Sequence, residues 1–328
     1  MARRIFVTGG SGLIGGALVG RLIAGGDDVV ALARSDASAA ALAGQGAEVA
    51  RGDIRDEAAL VAAMRGCDLA FNVAGVNTLC PTDPEPLYRA NRDGARAMAR
   101  AAAAAGVGRL VHTSSAATLG EPEGTVGRED SPHRGSFLSD YERSKFEGEQ
   151  AVLDEAARSG LDVVCVNPAS VQGPGRTGGT GRILLALLDG RLPVFIDTRI
   201  SVVDIGDTVE GHLLAAGRGA SGERYILCGA TLTSAEAVAL LSRVAGRPIR
   251  LRILRPAVAL AAGAAVEAGS RLTGRHPPLC RAMVRTMLHG HAYDGSRAER
   301  ELGLRYTPVE DTLRRTLEWA RAEGLVRA

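Results

Sequence analysis

The chain has 328 residues, of which 46% are hydrophobic and only 3% aromatic. It is long enough for one large domain, or for a domain with a smaller partner, and its apolar content can form a substantial core. Its 39 basic and 37 acidic residues are well mixed, and no basic tract interleaved with aromatic residues stands out, which argues against nucleic acid as a partner.

Short apolar, β-branched stretches alternate with alanine-rich helical stretches in the first half of the chain. Strands are predicted at 5–8, 29–33, 47–50, 69–73, 109–113 and 161–166, and helices at 13–24, 37–43, 57–64, 87–105 and 140–158. This alternation predicts an α/β fold, a doubly wound parallel sheet of the Rossmann type with helices on both faces. Ligands of such sheets lie beyond the carboxyl ends of the strands.

The first predicted strand breaks into a glycine-rich turn that leads directly into a helix. Gly9, Gly12 and Gly15 have a G-x-x-G-x-x-G spacing within Thr8-Gly9-Gly10-Ser11-Gly12-Leu13-Ile14-Gly15. Backbone N–H groups and the positive end of the helix dipole can hold a pyrophosphate in this setting. The strand, turn and helix therefore predict dinucleotide binding.

Residues at the next strand ends bear on the choice of cofactor. Arg34 follows the second strand, where an acidic residue would bind a ribose 2′-hydroxyl and an arginine suits a 2′-phosphate. NADP is therefore favoured, NAD stays possible, and Asp36 is the competing residue. Asp53 and Ile54 could flank the adenine, or Asp53 could simply cap the next helix. The small residue Ala74 would let the cofactor approach the fourth strand.

A serine, a tyrosine and a lysine form the candidate catalytic set. Ser115 follows the fifth strand, and Tyr141 and Lys145 lie four residues apart on one face of a predicted helix. An ammonium and a positive nicotinamide ring would lower the pKa of the phenol and make it a workable proton donor or acceptor. The Ser115 hydroxyl would polarise a substrate carbonyl.

The motifs together resemble those of the extended short-chain dehydrogenase/reductase family, also called the NAD-dependent epimerase/dehydratase superfamily. Within that family the chain is most similar to dihydroflavonol-reductase-like proteins and to hopanoid-associated sugar epimerases. The resemblance covers nearly the whole chain, and it depends on the glycine-rich turn, Tyr141 with Lys145, and four further stretches: Gly52-Asp53-Ile54, Asn91-Arg92-Asp93-Gly94, Thr113-Ser114-Ser115 and Asn167-Pro168-Ala169-Ser170-Val171-Gln172-Gly173-Pro174.

The resemblance implies roles for these residues. Ser115 orients the substrate oxygen, with Ser114 as the alternative serine. Tyr141 is the acid/base, and Lys145 is its pKa partner and a ribose ligand. Arg34 departs from family members that use NAD, which carry an acid there. The predicted cofactor site comprises Gly9, Gly12, Leu13, Ile14, Gly15, Arg34, Asp53, Ile54, Ala74, Lys145 and Pro168, the last beside the nicotinamide.

The second half of the chain is expected to select the substrate. We predict a dinucleotide-binding domain over 1–170 and a mostly substrate-binding part over 171–328, with segments that return to the Rossmann core. Four arginines of the glycine-rich region could bind a diphosphate or could be dispersed solvated charge: Arg176, Arg182, Arg191 and Arg199. No metal is predicted, because His289 and His291 lack an accompanying ligand motif. His212 is expected to be structural.

Cysteine usage and hydrophobic segments bear on location. The five cysteines contain no C-x-x-C pair, which predicts a reducing compartment and argues against a zinc site or a disulfide framework. No signal peptide is evident. The apolar stretch 256–266, bracketed by Arg255 and Glu267, is too short to span a bilayer. A packed helix is favoured there over an interfacial membrane helix. We predict a cytoplasmic protein without stable membrane insertion.

The leading functional hypothesis is an oxidoreductase that moves a hydride between NADP(H) and a carbonyl or secondary alcohol of a small molecule, with Tyr141 as the acid/base. A nucleotide-sugar epimerase or dehydratase with tightly held NAD is the first alternative. A non-catalytic NAD(P)-binding redox sensor is the second. A homodimer is possible, because helices 87–105 and 140–158 often pair two subunits in relatives.

Overall fold

A computed structural model describes residues 2–327. The strands in chain order are β1 Arg4–Thr8, β2 Asp28–Ala33, β3 Glu48–Arg51, β4 Leu69–Asn72, β5 Arg109–Thr113, β6 Val163–Pro168, β7 Ser170–Gln172, β8 Val194–Ile196, β9 Arg199–Asp204, β10 Arg224–Leu227, β11 Ala230–Thr233 and β12 Arg252–Leu254. The helices are α1 Leu13–Ala24, α2 Asp36–Gly44, α3 Glu57–Met64, α4 Glu85–Tyr88, α5 Gly94–Ala105, α6 Asp140–Ser159, α7 Thr180–Leu188, α8 Ile205–Arg218, α9 Ser234–Ala245, α10 Pro256–Thr273, α11 Arg281–His289 and α12 Val309–Ala322.

The central sheet confirms the predicted doubly wound fold. Its strand order within the described residues is β10-β6-β5-β4-β1-β2-β3, and every neighbouring pair is parallel. The chain runs from β1 outward to β3 on one side and then returns to β4 on the other side. The crevice at the carboxyl ends of β1 and β4 is therefore the expected ligand site.

Except at the edge strand β3, both faces of this sheet are buried, which explains why its strands are mainly apolar. Successive residues of β1 alternate between the two layers: Ile5 and Val7 pack into one hydrophobic core, and Phe6 packs into the other. Helices α1 and α8 cover the first face, while α3, α5 and α6 cover the second. The apolar strands thus position their carboxyl ends, where polar residues collect.

The predicted helix 87–105 is interrupted by a π-helical turn. It comprises α4, the π turn Arg89–Asp93 and then α5. At this turn the backbone comes so close to α6 that a Cβ on Gly148 would overlap the carbonyl oxygen of Asn91. A wider turn on one helix and a glycine on the other allow this close packing.

The chain after residue 170 contributes to the central sheet and also forms a separate cluster. Strand β10 extends the sheet beside β6, and α8 packs on one sheet face. Helices α7, α9 and α12 share a hydrophobic cluster that includes Leu187, Leu241 and Leu313. A boundary at residue 170 stays a prediction.

Two expectations about the second half need correction. Cys80 and Cys280 form a disulfide across 200 residues, with their Cα atoms 5.7 Å apart, so the prediction against disulfides is wrong for this pair. The apolar segment after Arg255 is a helix, α10, but only Ala259 and Gly263 of it are buried, so it is packed far less than expected. Among residues 2–327, no helix has the length and apolar character needed to cross a bilayer.

Candidate active site

The glycine-rich turn between β1 and α1 packs against the segment that follows β4. Gly9 has a φ of +70°, and a Cβ there would lie 2.6 Å from the Ala74 nitrogen. A Cβ on Gly15 would overlap the Gly9 carbonyl oxygen. The Ala74 N–H donates to Thr8 Oγ1 at 3.2 Å and fixes the other side of the crevice. Gly9 and Gly15 are therefore required for the turn itself, and both lie where the sequence predicts the cofactor site.

The N-terminus of α1 suits an anionic group. Gly12 caps the helix without any side-chain hydrogen bond, and the first turn has no acidic residue. The N–H groups of that turn, including those of Leu13 and Ile14, have no acceptor within an α-helix. Together with the helix dipole they can bind a pyrophosphate. The residues present fit a dinucleotide.

The ends of β2 and β3 present several arginines. Arg34 is exposed and forms no ion pair within the described residues, whereas Asp36 pairs with Arg51. Asp53 accepts from the Arg55 side chain at 2.9 Å, and this hydrogen bond is the main cause of its lowered pKa. The structure therefore leaves Arg34 available, while the competing Asp36 forms a surface ion pair with Arg51. Asp56, rather than Asp53, caps α3.

Two of the three predicted catalytic residues, Ser115 and Tyr141, lie on one cavity. Ser115 follows β5 and caps a short 3-10 turn, and Tyr141 lies in the first turn of α6. Both side chains line a cavity of about 550 Å³ that is also lined by Ile14 and Pro168. Ser114 lines it too, and its buried hydroxyl has no hydrogen-bond partner among the described residues. Of the two serines, only Ser115 acts on the pKa of Tyr141, which it lowers; the choice between them stays a prediction.

The electrostatics of Tyr141 differ from expectation. Burial raises the pKa of its phenol, while hydrogen bonding with Ser115 and the charge of Arg176 oppose the rise. Lys145 is not among the groups that shift this pKa. The positive side chain acting on Tyr141 is Arg176, whose own pKa is lowered because its guanidinium is desolvated in the cavity wall.

Lys145 is buried below the cavity. Its Nζ donates to the Thr113 carbonyl oxygen at 2.7 Å, and a Cβ on Gly75 would lie 3.7 Å away from it. Burial lowers the pKa of Lys145 to about 8, and the carboxylate of Glu149 opposes that shift. Lys145 is therefore close to the crevice at the carboxyl ends of β1 and β4, and its charge titrates just above neutral pH.

Two buried polar residues near Lys145, Asn91 and Glu149, were not predicted as site residues from the sequence. The Asn91 amide accepts from the Val76 N–H at 2.8 Å and donates to the Ser144 hydroxyl at 2.9 Å. Glu149 is fully buried, accepts from Asn167 at 2.6 Å and lies one helical turn beyond Lys145. The four-residue spacing from Lys145 could have identified Glu149; only the fold could identify what Asn91 contacts.

Apolar side chains provide most of the surface of this cavity. They include Leu251, just before β12, and a set from α7, α9, α12 and the small sheets: Ile183, Leu184, Leu187, Phe195, Leu232, Val238, Leu241, Val309 and Leu313. Arg176, Arg182 and Arg199 also line the cavity, whereas Arg191 instead pairs with Asp189 and bonds to the Leu325 carbonyl. Three of the four candidate arginines can therefore reach a ligand, and Arg191 cannot serve as predicted.

The histidines outside the crevice find partners in the fold. His212 is buried, with Nε2 2.8 Å from Thr113 Oγ1, and burial lowers its pKa to about 4, in keeping with a structural role. His289 and His291 do have an acidic neighbour, contrary to expectation: Glu121 Oε1 lies 2.6 Å from His291 Nδ1 and 3.6 Å from His289 Nε2. The 2.6 Å contact is a carboxylate–imidazole hydrogen bond.

The sequence and the fold both match known proteins. The NAD dependent epimerase/dehydratase family matches residues 5–228. A dihydroflavonol 4-reductase from Synechocystis is 33% identical, over 100% of this chain and 97% of that protein. Sterol demethylase protein B from Methylococcus capsulatus is 32% identical, over 98% of this chain and 99% of that protein.

A solved structure extends this similarity to three dimensions. The nucleoside-diphosphate-sugar epimerase PA4631 from Pseudomonas aeruginosa aligns with a TM-score of 0.76 and 26% identity, over 100% of both chains. The relatives thus include proteins named as reductases and as epimerases.

Proposed function

The chain belongs to the NAD-dependent epimerase/dehydratase family, and on that premise we propose that it is an NADP(H)-dependent reductase of apolar carbonyl compounds. The observation that carries this proposal is the placement of Tyr141 and Ser115 on a cavity whose surface is mainly apolar. An apolar substrate body gains free energy by displacing water from such a wall. The exposed Arg34, free of any ion pair within residues 2–327, supports a 2′-phosphate and hence NADP.

The reaction requires a hydride and a proton. When bound, the nicotinamide supplies the hydride to the carbonyl carbon. The Ser115 hydroxyl donates a hydrogen bond to the carbonyl oxygen, and the Tyr141 phenol then transfers its proton to that oxygen. The resulting phenolate is stabilised by the charge of Arg176 until solvent returns the proton. The reverse sequence oxidises a secondary alcohol.

A nucleotide-sugar epimerase with tightly held NAD is the second candidate. The three arginines of the cavity favour it, because a diphosphate needs several cations.

A homodimer and a cytoplasmic location also stay predictions. A disulfide such as Cys80–Cys280 is uncommon in proteins of a reducing compartment.

The first experiment measures cofactor content and consumption. The purified protein should contain little bound cofactor, and it should oxidise added NADPH in preference to NADH with long-chain or ring ketones. Tyr141→Phe should lower turnover by about 10²–10⁴-fold while NADPH binding survives. Tyr88→Phe is the matched control, since Tyr88 bonds to Asp140 beside the same helix but does not line the cavity.

Other outcomes identify the alternatives. Stoichiometric NAD released only on denaturation, without net NADPH consumption, would support the epimerase. Wild-type turnover in Tyr141→Phe would remove the proton-transfer role. Cofactor binding with no turnover of any ketone or nucleotide sugar would support a redox sensor.

A further inference from the structure

Positive charge is concentrated in one stretch of the second half. Residues 243–285 contain nine arginines and one glutamate, a net charge of +8, whereas the whole chain carries only +2. All nine arginines are exposed. Within the described residues, only Arg243 and Arg271 among them form ion pairs, with Glu310 and Glu267. The rest of the chain is therefore net acidic, and this region has a cationic surface open to a partner.

Helix α10, in the middle of this stretch, presents an apolar stripe to solvent. Its exposed residues at spacings of three and four, which share one helix face, are Val258, Ala261, Ala265, Ala268 and Leu272. Val258 is 52% exposed and Leu272 is 90% exposed. The opposite face packs on α11 through Leu260 and small residues: a Cβ on Gly263 would lie 3.0 Å from a Val284 methyl group.

The exposed stripe lies between cationic side chains. Arg255 immediately precedes α10, Arg271 lies in its last turn, and Arg275 follows it. Over 18 residues the helix is about 27 Å long. Exposed apolar side chains flanked by arginines are typical of helices that lie in the interface of a bilayer.

The same region borders the candidate active site. His276 and Pro278, in the link from α10 to α11, are exposed and line the cavity, so the cavity reaches the surface there. The Cys80–Cys280 disulfide joins the start of α11 to the core, which fixes this link beside the cavity. A partner that covers α10 would therefore lie at the opening of the cavity.

We propose that α10 and its flanking arginines bind the surface of an anionic lipid bilayer, with the helix lying in the interface and the cavity opening toward it. Anionic headgroups complement the net charge of +8, and the acyl-chain boundary accepts the stripe. A nucleic acid would match the charge and leave Val258 and Leu272 exposed to water. This binding is independent of the reaction proposed above.

Vesicle flotation tests the surface directly. The full-length protein should float with vesicles of phosphatidylcholine and phosphatidylserine but not with phosphatidylcholine alone, and binding should fall as salt increases. Arg252→Gln, Arg255→Gln and Arg275→Gln together should weaken binding by about a hundredfold, at roughly fivefold per arginine. The matched control replaces Arg65, Arg305 and Arg321 by Gln, which are exposed arginines elsewhere without ion pairs among residues 2–327; its binding should be unchanged.

A second variant separates the apolar part from the charge. Val258→Ser with Leu272→Ser keeps every arginine and should still weaken vesicle binding severalfold, with an unchanged melting temperature because both side chains are exposed. Failure of the wild type to float with anionic vesicles would overturn the proposal. A serine variant that binds vesicles like the wild type, with duplex DNA displacing both proteins from the vesicles, would also overturn it. The same holds if the wild type is a dimer in vesicle-free solution and the serine substitutions dissociate that dimer.

Discussion

At the scale of single residues, the electrostatics of the site depend on burial more than on pairing. Tyr141 and Lys145 are both desolvated, so the pKa of the phenol is raised and that of the ammonium is lowered. Both shifts favour the neutral forms. Neighbouring charges oppose both shifts: Arg176 lowers the pKa of Tyr141, and Glu149 raises the pKa of Lys145.

The first prediction concerns pH. Because the pKa of Lys145 is about 8 and its ammonium is the predicted ligand of the cofactor ribose, kcat/KM for reduction should fall as the pH rises through that value and the ammonium loses its charge. Glu149→Gln removes a charge that raises this pKa and should move the alkaline limb to lower pH. Glu147→Gln is the control, since Glu147 lies on the same helix and pairs with Arg143 and Arg92 at the surface.

The same shift also affects stability, with a defined sign. Between pH 8 and the usual lysine pKa of 10.5, the unfolded chain holds more protons at this site than the folded protein does. The contribution of Lys145 to the free energy of unfolding therefore rises with pH across that window.

For activity, an alkaline limb that Glu149→Gln leaves at the same pH would show that a group other than Lys145 controls the pH profile.

At the scale of elements, the packing of the π turn against α6 holds the crevice together. The Asn91 side chain extends from this turn and accepts a hydrogen bond from the Val76 N–H, next to Gly75. The Asn91 backbone can lie this close to α6 because Gly148 has no side chain. The turn, the glycine and the crevice are thus one packing unit.

We expect Gly148→Ala to destabilise the protein by about 1–3 kcal/mol, since the added methyl overlaps a backbone carbonyl that cannot move freely. Gly20→Ala is the matched control on α1, where a Cβ meets nothing within 4 Å. It should stabilise by about 0.5–1 kcal/mol through helix propensity. Urea unfolding measures both, and equal effects of the two substitutions would contradict this packing.

At the scale of the whole molecule, one covalent bond spans the fold. The Cys80–Cys280 disulfide links the segment after β4 to the start of α11, 200 residues later. A link over so long a loop removes much conformational freedom from the unfolded chain. It connects the cofactor-side crevice with the cationic second half.

Cys80→Ser with Cys280→Ser should therefore lower the free energy of unfolding by about 2–5 kcal/mol. Adding a reductant to the wild type should lower its melting temperature in the same direction, whereas the double variant should not respond. A wild type that is insensitive to reductant would mean that the bond contributes nothing to stability. The other cysteines of the described chain, Cys67, Cys165 and Cys228, are buried and free.

The amino-acid sequence alone determined the parts of this protein that depend on neighbours along the chain. The alternating strands and helices, the glycine-rich turn after β1 and the Tyr141–Lys145 spacing follow from local periodicity and sterics. They appear as predicted, apart from the π turn that interrupts the predicted helix 87–105. These features suffice for the fold class and for the place of the crevice, because parallel strands bring their carboxyl ends to one edge.

Only the tertiary structure decided which distant groups meet. Cys80 lies beside Cys280, Glu121 beside His291, and Arg176 near enough to Tyr141 to change its pKa, although at least 35 residues separate each pair along the chain. No local pattern encodes such contacts, because they arise from how helices and loops pack around the sheet. The exposure of α10 has the same origin: its composition suits a core, but the fold places only two of its residues inside.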